Sequence, residues 1–283
     1  MIVKLGEGWI GGDGLQILCF KEKKMVIIGR EDHVEFDWRS RNILPPNVND
    51  CCWAICAADV VASTFNALGR EANLHLSPQH LVDFNWKCQR MRKGFPVWHA
   101  LDYIRDQGIT TEELYPFQGR RTNLDDNKKA PEFQKLYTIH QYSNVNQENI
   151  ITTLRNRPMI IAAKFDKSIG SMVGDWNIYT PNYEEIQCRG HGLLLVGYGK
   201  GIIIHQIQKM RNIGRLENHV YNEEKPYWIV RSSWGPEWGR GGYARIARDS
   251  LAITAWSVQL EGDFIARISF AKNDIYLSQL PCI

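Results

Sequence analysis

Residues 51–58 read CCWAICAA, and the apolar run that they open continues to Leu68 before Gly69 ends it. Apolar side chains recur within this run at helical spacing, at Trp53, Ala57, Val60, Val61 and Phe65. That spacing predicts a helix with one buried face. The preceding Pro45-Pro46 pair favours an extended turn, because proline disfavours helix in the residue before it. Cys52 is therefore expected at the N-terminal edge of the helix.

A thiol at that position is suited to chemistry. Cysteine attacks as its thiolate, and its ordinary pKa leaves only a small fraction ionised near neutrality. The unsatisfied N–H groups at a helix N-terminus carry partial positive charge and lower that pKa. A nearby imidazole completes the activation by accepting the proton, and His191, which precedes a strand pattern, is the candidate. The alternative is that Cys52 is a buried structural thiol.

The first half of the chain has further helical signals. A second helix is predicted to open at Ser77-Pro78, a capping serine followed by a first-turn proline. A third carries Val97, Leu101 and Ile104 on one face and ends at Gly108.

The second half differs in pattern. Short β-branched or aromatic runs bounded by Gly, Pro and Asn predict strands over 159–165, 192–198, 227–231 and 242–247. Residues 200–226, between two of these strands, are expected to form a hairpin or loop. Helices followed by strands predict an α+β protein rather than alternating βαβ units.

Composition and charge exclude several classes of protein. Hydrophobic residues make up 44% and charged residues 23%, as in soluble globular proteins. A net charge of +3 with dispersed Lys and Arg argues against nucleic acid as a partner. No stretch approaches the apolar length of a membrane span, and the first twenty residues lack a secretory signal pattern. Cys51, Cys52 and Cys56 lack zinc-ligand spacing, so we expect neither a metal nor another cofactor.

Six segments have an order and spacing that point to one family. They are Asp37-Trp38-Arg39, Cys52-Trp53-Ala54, LSPQHLVD at 76–83, ELYPF at 113–117, HGLLLVGYG at 191–199 and SWGPEWGRGGY at 233–243. Over residues 36–262 the chain resembles the papain/cathepsin (C1) family of cysteine peptidases. The separation of Cys52 and His191, about 140 residues, fits the separation of nucleophile and histidine in papain-like enzymes.

The resemblance implies a papain-like fold of two lobes with a cleft between them. Residues 37–135 are expected to form a mainly helical lobe that carries the nucleophile. Residues 136–262 are expected to form an antiparallel, β-barrel-like lobe that carries the base. The remaining segments are an N-terminal extension over 1–36, which is unlike the family's pro-segment, and a tail over 263–283.

The resemblance also implies the roles of individual residues. Cys52 is the nucleophile, and His191 is the general base and then the acid towards the leaving amine. Ser232 occupies the position of the family's orienting Asn, and Trp234 screens the histidine's orienting contact from water. The pocket for an apolar substrate side chain falls on Gly94, Phe95 and Pro96.

Several departures from the family pattern bear on activity. The hydroxyl of Ser232 is shorter than an Asn side chain and can bond in more ways, so it holds the imidazole less firmly. The family's oxyanion Gln falls on Pro46, which has no side-chain donor, and Asn47 or Asn49 is the expected substitute. Loss of such a donor costs about 3 kcal/mol of transition-state stabilisation. Asp50 also places negative charge beside the thiol, which opposes thiolate formation.

The cysteine framework differs from that of the family as well. Asn49 and Phe84 occupy positions where the family has cysteines, so its usual set of disulfides is incomplete. Disulfides persist in oxidising compartments. The sequence therefore favours a reducing, intracellular setting over the lysosomal, vacuolar or secreted setting that the resemblance implies.

Two functions of different classes follow from these residues. The first is a cysteine endopeptidase that acts on peptide or protein substrates through Cys52 and His191. The second is a catalytically inactive papain-fold protein that binds a peptide or protein through the former cleft. The two retained reacting side chains favour the enzyme, whereas Ser232 and Pro46 favour the binding protein. The oligomeric state is left open.

Overall fold

A computed structural model describes residues 25–28, 33–46, 51–85, 95–122, 130–172, 177–181, 190–210, 216–248 and 253–262. Its α-helices are α1 (Cys52–Ala67), α2 (Pro78–Phe84), α3 (Val97–Gln107) and α4 (Ile150–Leu154). Its strands are β1 (Met25–Ile28), β2 (His33–Asp37), β3 (Gln141–Val145), β4 (Met159–Lys164), β5 (Ile178–Tyr179), β6 (Gly190–Met210), β7 (Leu216–Arg231), β8 (Tyr243–Ala247) and β9 (Thr254–Gln259). No helix within these ranges is long and apolar enough to cross a membrane.

Helix α1 lies at the centre of the molecule. Every residue from Cys52 to Thr64 is buried, so the prediction of a single buried face is wrong. The alanines in the helix let neighbours approach closely from several directions: α1 contacts α2 and α3 and also β4, β6 and β9. The helix that carries the candidate nucleophile is therefore held by helices and by the sheet.

Helix α2 begins, and helix α3 ends, at the residues predicted from the sequence. The Ser77 hydroxyl caps α2 by accepting a hydrogen bond from the His80 amide at 3.1 Å, with Pro78 in the first turn. Helix α3 ends at Gly108, whose φ of 79° favours glycine.

The strands form one open sheet in the order β3-β9-β4-β6-β7-β8-β5, with β1 and β2 also paired to β6. All pairs are antiparallel apart from β5 with β8. Strands β3 and β5 are the two edges of this order, and no pairing joins them in the described part of the chain. Strand β5 is only two residues long. The α+β class is confirmed, whereas the barrel-like closure expected for the second lobe is wrong.

The N-terminal extension contributes to this sheet. Strands β1 and β2 lie along β6, with Met25 opposite Gln206 and His33 opposite Lys200. A Cβ atom on Gly197 or Gly199 would lie 2.5 Å from a β2 carbonyl oxygen, which explains why the VGYG run needs glycine at both positions.

The long strands β6 and β7 form the hairpin expected over 200–226. Their pairing continues from Lys200 opposite Pro226 out to Met210 opposite Leu216. The tail over 263–283 lies outside the described residues, and the lobe boundaries stay predictions.

Candidate active site

Cys52 is the first residue of α1, and it is a buried thiol. The preceding Cys51 has φ 44° and ψ 58°, a left-handed conformation that is uncommon for a residue other than glycine. Its side chain does not cap the helix, although its carbonyl accepts the amides of Ala54 and Ile55. The partial positive charge at the N-terminus of α1 therefore lies beside Cys52, and such charge favours a thiolate.

One face of α1 packs on strand β6 and reaches Arg231 at the end of β7. Cys52, Cys56 and Asp59 share this face, since they are separated by four and three residues. A Cβ atom on Gly192 would lie 3.7 Å from the Cys56 sulfur. Further along, Asp59 is 3.0 Å from Arg231, whose Cα lies opposite β6. Cys52 lies one helical turn before Cys56, and His191 directly precedes Gly192 on β6.

Two contacts fix the imidazole of His191. The side chain is 4% exposed, and its Nε2 lies 3.1 Å from the Ser232 hydroxyl. The Trp234 indole stacks on the ring, with centroids 4.1 Å apart and planes 3° from parallel. Trp238 meets Trp234 edge-on and donates its Nε1–H to the Ile169 carbonyl at 2.7 Å.

The other ring nitrogen of His191 is available for chemistry. Its Nδ1 is buried and has no hydrogen-bond partner among the described residues. Burial lowers the pKa of His191 to about 3, because the buried ring is poorly solvated when charged, so the ring is neutral near pH 7. An anion on Cys52 would act in the opposite direction and favour the imidazolium.

Comparison with known proteins agrees with this geometry. The family model described as papain family cysteine protease matches residues 33–259. The chain belongs to this family. Among its curated papain-family relatives are a cathepsin L-like proteinase of Phaedon cochleariae, 27% identical, and a KDEL-tailed cysteine endopeptidase of Arabidopsis thaliana, 30% identical. These alignments cover 76% and 75% of the chain but only 60% and 54% of the relatives. The chain thus spans a little over half the length of these curated relatives.

Solved structures show the papain fold. The bromelain protease from Ananas comosus, in complex with the E64 inhibitor, is 23% identical with a TM-score of 0.54. That alignment covers 80% of this chain and 98% of bromelain. The proform of the ragweed pollen cysteine protease Amb a 11 is 22% identical with the same TM-score, and the alignment covers 80% of this chain and 64% of that one.

Some of the predicted papain-family site residues lie at the His191 ring, and others lie outside the described residues. Ser232 contacts His191 as expected, while Trp234 lies on the imidazole plane itself. Phe95 is 1% exposed, because its ring packs edge-on against Trp53 at 5.0 Å. The half-buried Pro96 precedes α3. Gly94 and the two oxyanion candidates, Asn47 and Asn49, lie outside the described residues, so the pocket and oxyanion roles stay predictions.

Two charged residues beside the site escaped the sequence analysis. Arg231 is 1% exposed and Asp59 6%, and the two form a buried ion pair at 3.0 Å. The available signal was a carboxylate within an otherwise apolar helix pattern and an arginine that ends an apolar strand run. No cluster of three or more potential ligands that could hold a metal ion occurs in the described part of this papain-family chain.

Proposed function

We propose that this chain is a cysteine endopeptidase in which Cys52 is the nucleophile and His191 the proton-transfer group. One observation carries the proposal. The buried imidazole of His191 is held through Nε2 by Ser232, and its Nδ1 has no hydrogen-bond partner among the described residues. His191 lies on β6, the strand that contacts the Cys52 helix. A neutral ring in this state can take the thiol proton. The positive end of α1 stabilises the sulfur anion that results.

The reaction then runs in two stages. The Cys52 sulfur attacks the scissile carbonyl carbon and forms a C–S bond, while the carbonyl electron pair moves to oxygen. When that pair returns, the C–N bond breaks and the leaving amine takes the proton from His191. In the second stage His191 accepts a proton from water while the water oxygen attacks the thioester carbon. The C–S bond then breaks, and His191 returns the proton to the sulfur, which releases the carboxylic acid and the free thiol.

Ser232 and Trp234 keep the ring in position through both stages. A hydroxyl can donate or accept, so Ser232 remains a partner for Nε2 in the neutral and the protonated ring. The flat stack on Trp234 restricts rotation of the imidazole and excludes water from one of its faces. We assign the oxyanion donor to Asn47 or Asn49, and the substrate to the peptide or protein class.

Access to the thiol is part of this proposal. Cys52 is 2% exposed, so a substrate carbonyl reaches the sulfur only when covering groups move aside. A peptide that binds in the cleft can drive that movement, whereas a small reagent has little binding energy for it. We therefore expect a peptidyl probe to label Cys52 faster than a small alkylating agent does.

The test is labelling with a peptidyl vinyl sulfone, read by intact mass and by peptide mapping. We expect one equivalent on Cys52, no such adduct in Cys52→Ala, and a rate lowered at least about 100-fold in His191→Ala. Cys56→Ala is the matched control, since Cys56 lies one turn along the same face of α1, and it should label like the wild type. Equal labelling of wild type and Cys52→Ala would leave only the binding protein.

A further inference from the structure

Arg231 links three separate parts of the molecule. It is the last residue of β7, and its guanidinium is 3.0 Å from the Asp59 carboxylate on α1. Its NH1 donates to the Pro45 carbonyl at 2.5 Å and its NH2 to the Pro46 carbonyl at 2.6 Å. One buried cation thus joins a β-strand, the nucleophile helix and the segment that leads into that helix.

These links lie around the proposed catalytic groups. Asp59 shares the α1 face of Cys52, about two turns further on. Ser232, which holds His191, directly follows Arg231, and its amide donates to Gly242 at 3.1 Å. Arg231 thus adjoins Ser232 in the chain on one side and pairs with the Cys52 helix on the other.

We propose that Arg231 is a positioning residue: paired with Asp59 and bonded to Pro45 and Pro46, it sets the approach of Cys52 to His191. This role rests on the proposed peptidase function, in which Arg231 acts through other residues and touches neither the substrate nor the reacting atoms.

Arginine has the chemistry for this task. Its planar guanidinium can bind a carboxylate and two carbonyl oxygens at once in fixed directions, whereas lysine offers a single point charge. Burial raises the pKa of Asp59 to about 6, and the Arg231 charge works against that rise, so the Asp59 carboxyl is ionised at pH 7.5 and can pair with the guanidinium. A fully desolvated pair with additional hydrogen bonds is geometrically demanding, and small displacements break it.

The test separates positioning from mere stability. Removing one partner of a buried pair destabilises a protein strongly, while replacing both by apolar residues is often neutral. We therefore use the double variant Arg231→Met/Asp59→Leu, which keeps an apolar fill, together with Arg231→Lys. The matched control is Arg245→Met, which removes a buried arginine of the neighbouring strand β8 that is also 1% exposed.

Three measurements are made on each variant. They are the thermal midpoint, kcat and KM for a fluorogenic peptide, and the pH profile of Cys52 alkylation by iodoacetamide, quantified on the Cys52 peptide. In the folded double variant we expect kcat to fall about 100-fold, the cost of a misplaced catalytic group, with KM changed less than about threefold. Its alkylation profile should move to that of an ordinary thiol, and Arg231→Lys should recover part of the loss.

Arg245→Met should lower the thermal midpoint and leave the alkylation profile unchanged. A folded double variant with the wild-type profile and kcat overturns the proposal, as does the same profile shift in Arg245→Met. If the double variant does not fold, the test rests on Arg231→Lys. A wild-type pH profile of Cys52 alkylation in Arg231→Lys would then overturn the proposal. Failure of the peptidase proposal looks different, because the wild type itself would then show no Cys52-dependent hydrolysis.

Discussion

Replacing Ser232 with alanine removes the one described hydrogen bond of the His191 ring. The hydroxyl lies 3.1 Å from Nε2, and Ser232 is 2% exposed, so water has little room to take its place. Both ring nitrogens would then be buried without a partner among the described residues. An unsatisfied buried polar group costs about 1–3 kcal/mol. At about 1.4 kcal/mol per tenfold, kcat/KM should fall between about 5-fold and 150-fold.

The assay is steady-state hydrolysis of a fluorogenic peptide, with urea unfolding of the same samples. Because the role proposed for the ring lies in the chemical steps, the loss should lie in kcat with KM little changed. Ser63→Ala is the control: its hydroxyl is also buried and has no partner in the described part of the chain, so hydrolysis and stability should stay near wild type. A Ser232→Ala enzyme within twofold of wild-type kcat/KM would refute the orienting role.

Three further perturbations test the surroundings of the site. Trp234→Ala opens the face of His191 to water, so the pKa of the ring should rise from about 3 towards its ordinary 6.5 in an NMR titration; an unmoved pKa would contradict burial as the cause. Trp38→Phe removes the 2.7 Å hydrogen bond from the Trp38 indole to the Leu154 carbonyl. The free energy of unfolding in urea should fall by about 1–2 kcal/mol, and an unchanged value would show that this bond does not stabilise the fold. The folded pKa of His191 lies below its unfolded value, so the stability that depends on a neutral ring is complete above pH 6.5 and is lost as the pH falls towards 3. Between pH 7.5 and 4.5 the free energy of unfolding should therefore fall by about 3 kcal/mol more in the wild type than in His191→Gln. Equal losses in the two proteins would contradict the lowered pKa.

Local signals in the sequence predicted the helices well. The Ser77-Pro78 cap and the terminal Gly108 mark helix ends through their own backbone chemistry, so α2 begins and α3 ends where expected. The predicted helix from Cys52 to Leu68 ends within one residue of α1. Its burial on all sides was missed, because period alone does not say how many elements pack on a helix that is rich in alanine.

Features that depend on distant parts of the chain were not predicted. The pairing of β1 and β2 with β6 joins segments far apart in sequence, and no local pattern encodes it. The open sheet departs from the barrel-like lobe that the family resemblance implied.

In the candidate site too, local sequence signals predicted some residues, while others depend on contacts between distant parts of the chain. The predictions of Cys52, His191 and Ser232 as site residues rest on the recognisable runs in or beside which each residue lies, and in the structure the Ser232 hydroxyl contacts the His191 ring. The pair of Arg231 with Asp59 joins two elements far apart in the chain, so only the fold reveals it. A charged residue within an apolar run signals that a partner exists but does not identify it.

The proposed reaction requires a covalent acyl intermediate on Cys52 that forms with the help of His191. Acid-quenching the protein during turnover of an activated amino-acid ester, followed by peptide mapping, would locate the acyl group. We expect a thioester on Cys52 in the wild type, much slower acylation in His191→Ala and none at this position in Cys52→Ala. A wild-type protein that turns over ester or peptide without an acyl group on Cys52, or that acylates equally fast without His191, would contradict the account.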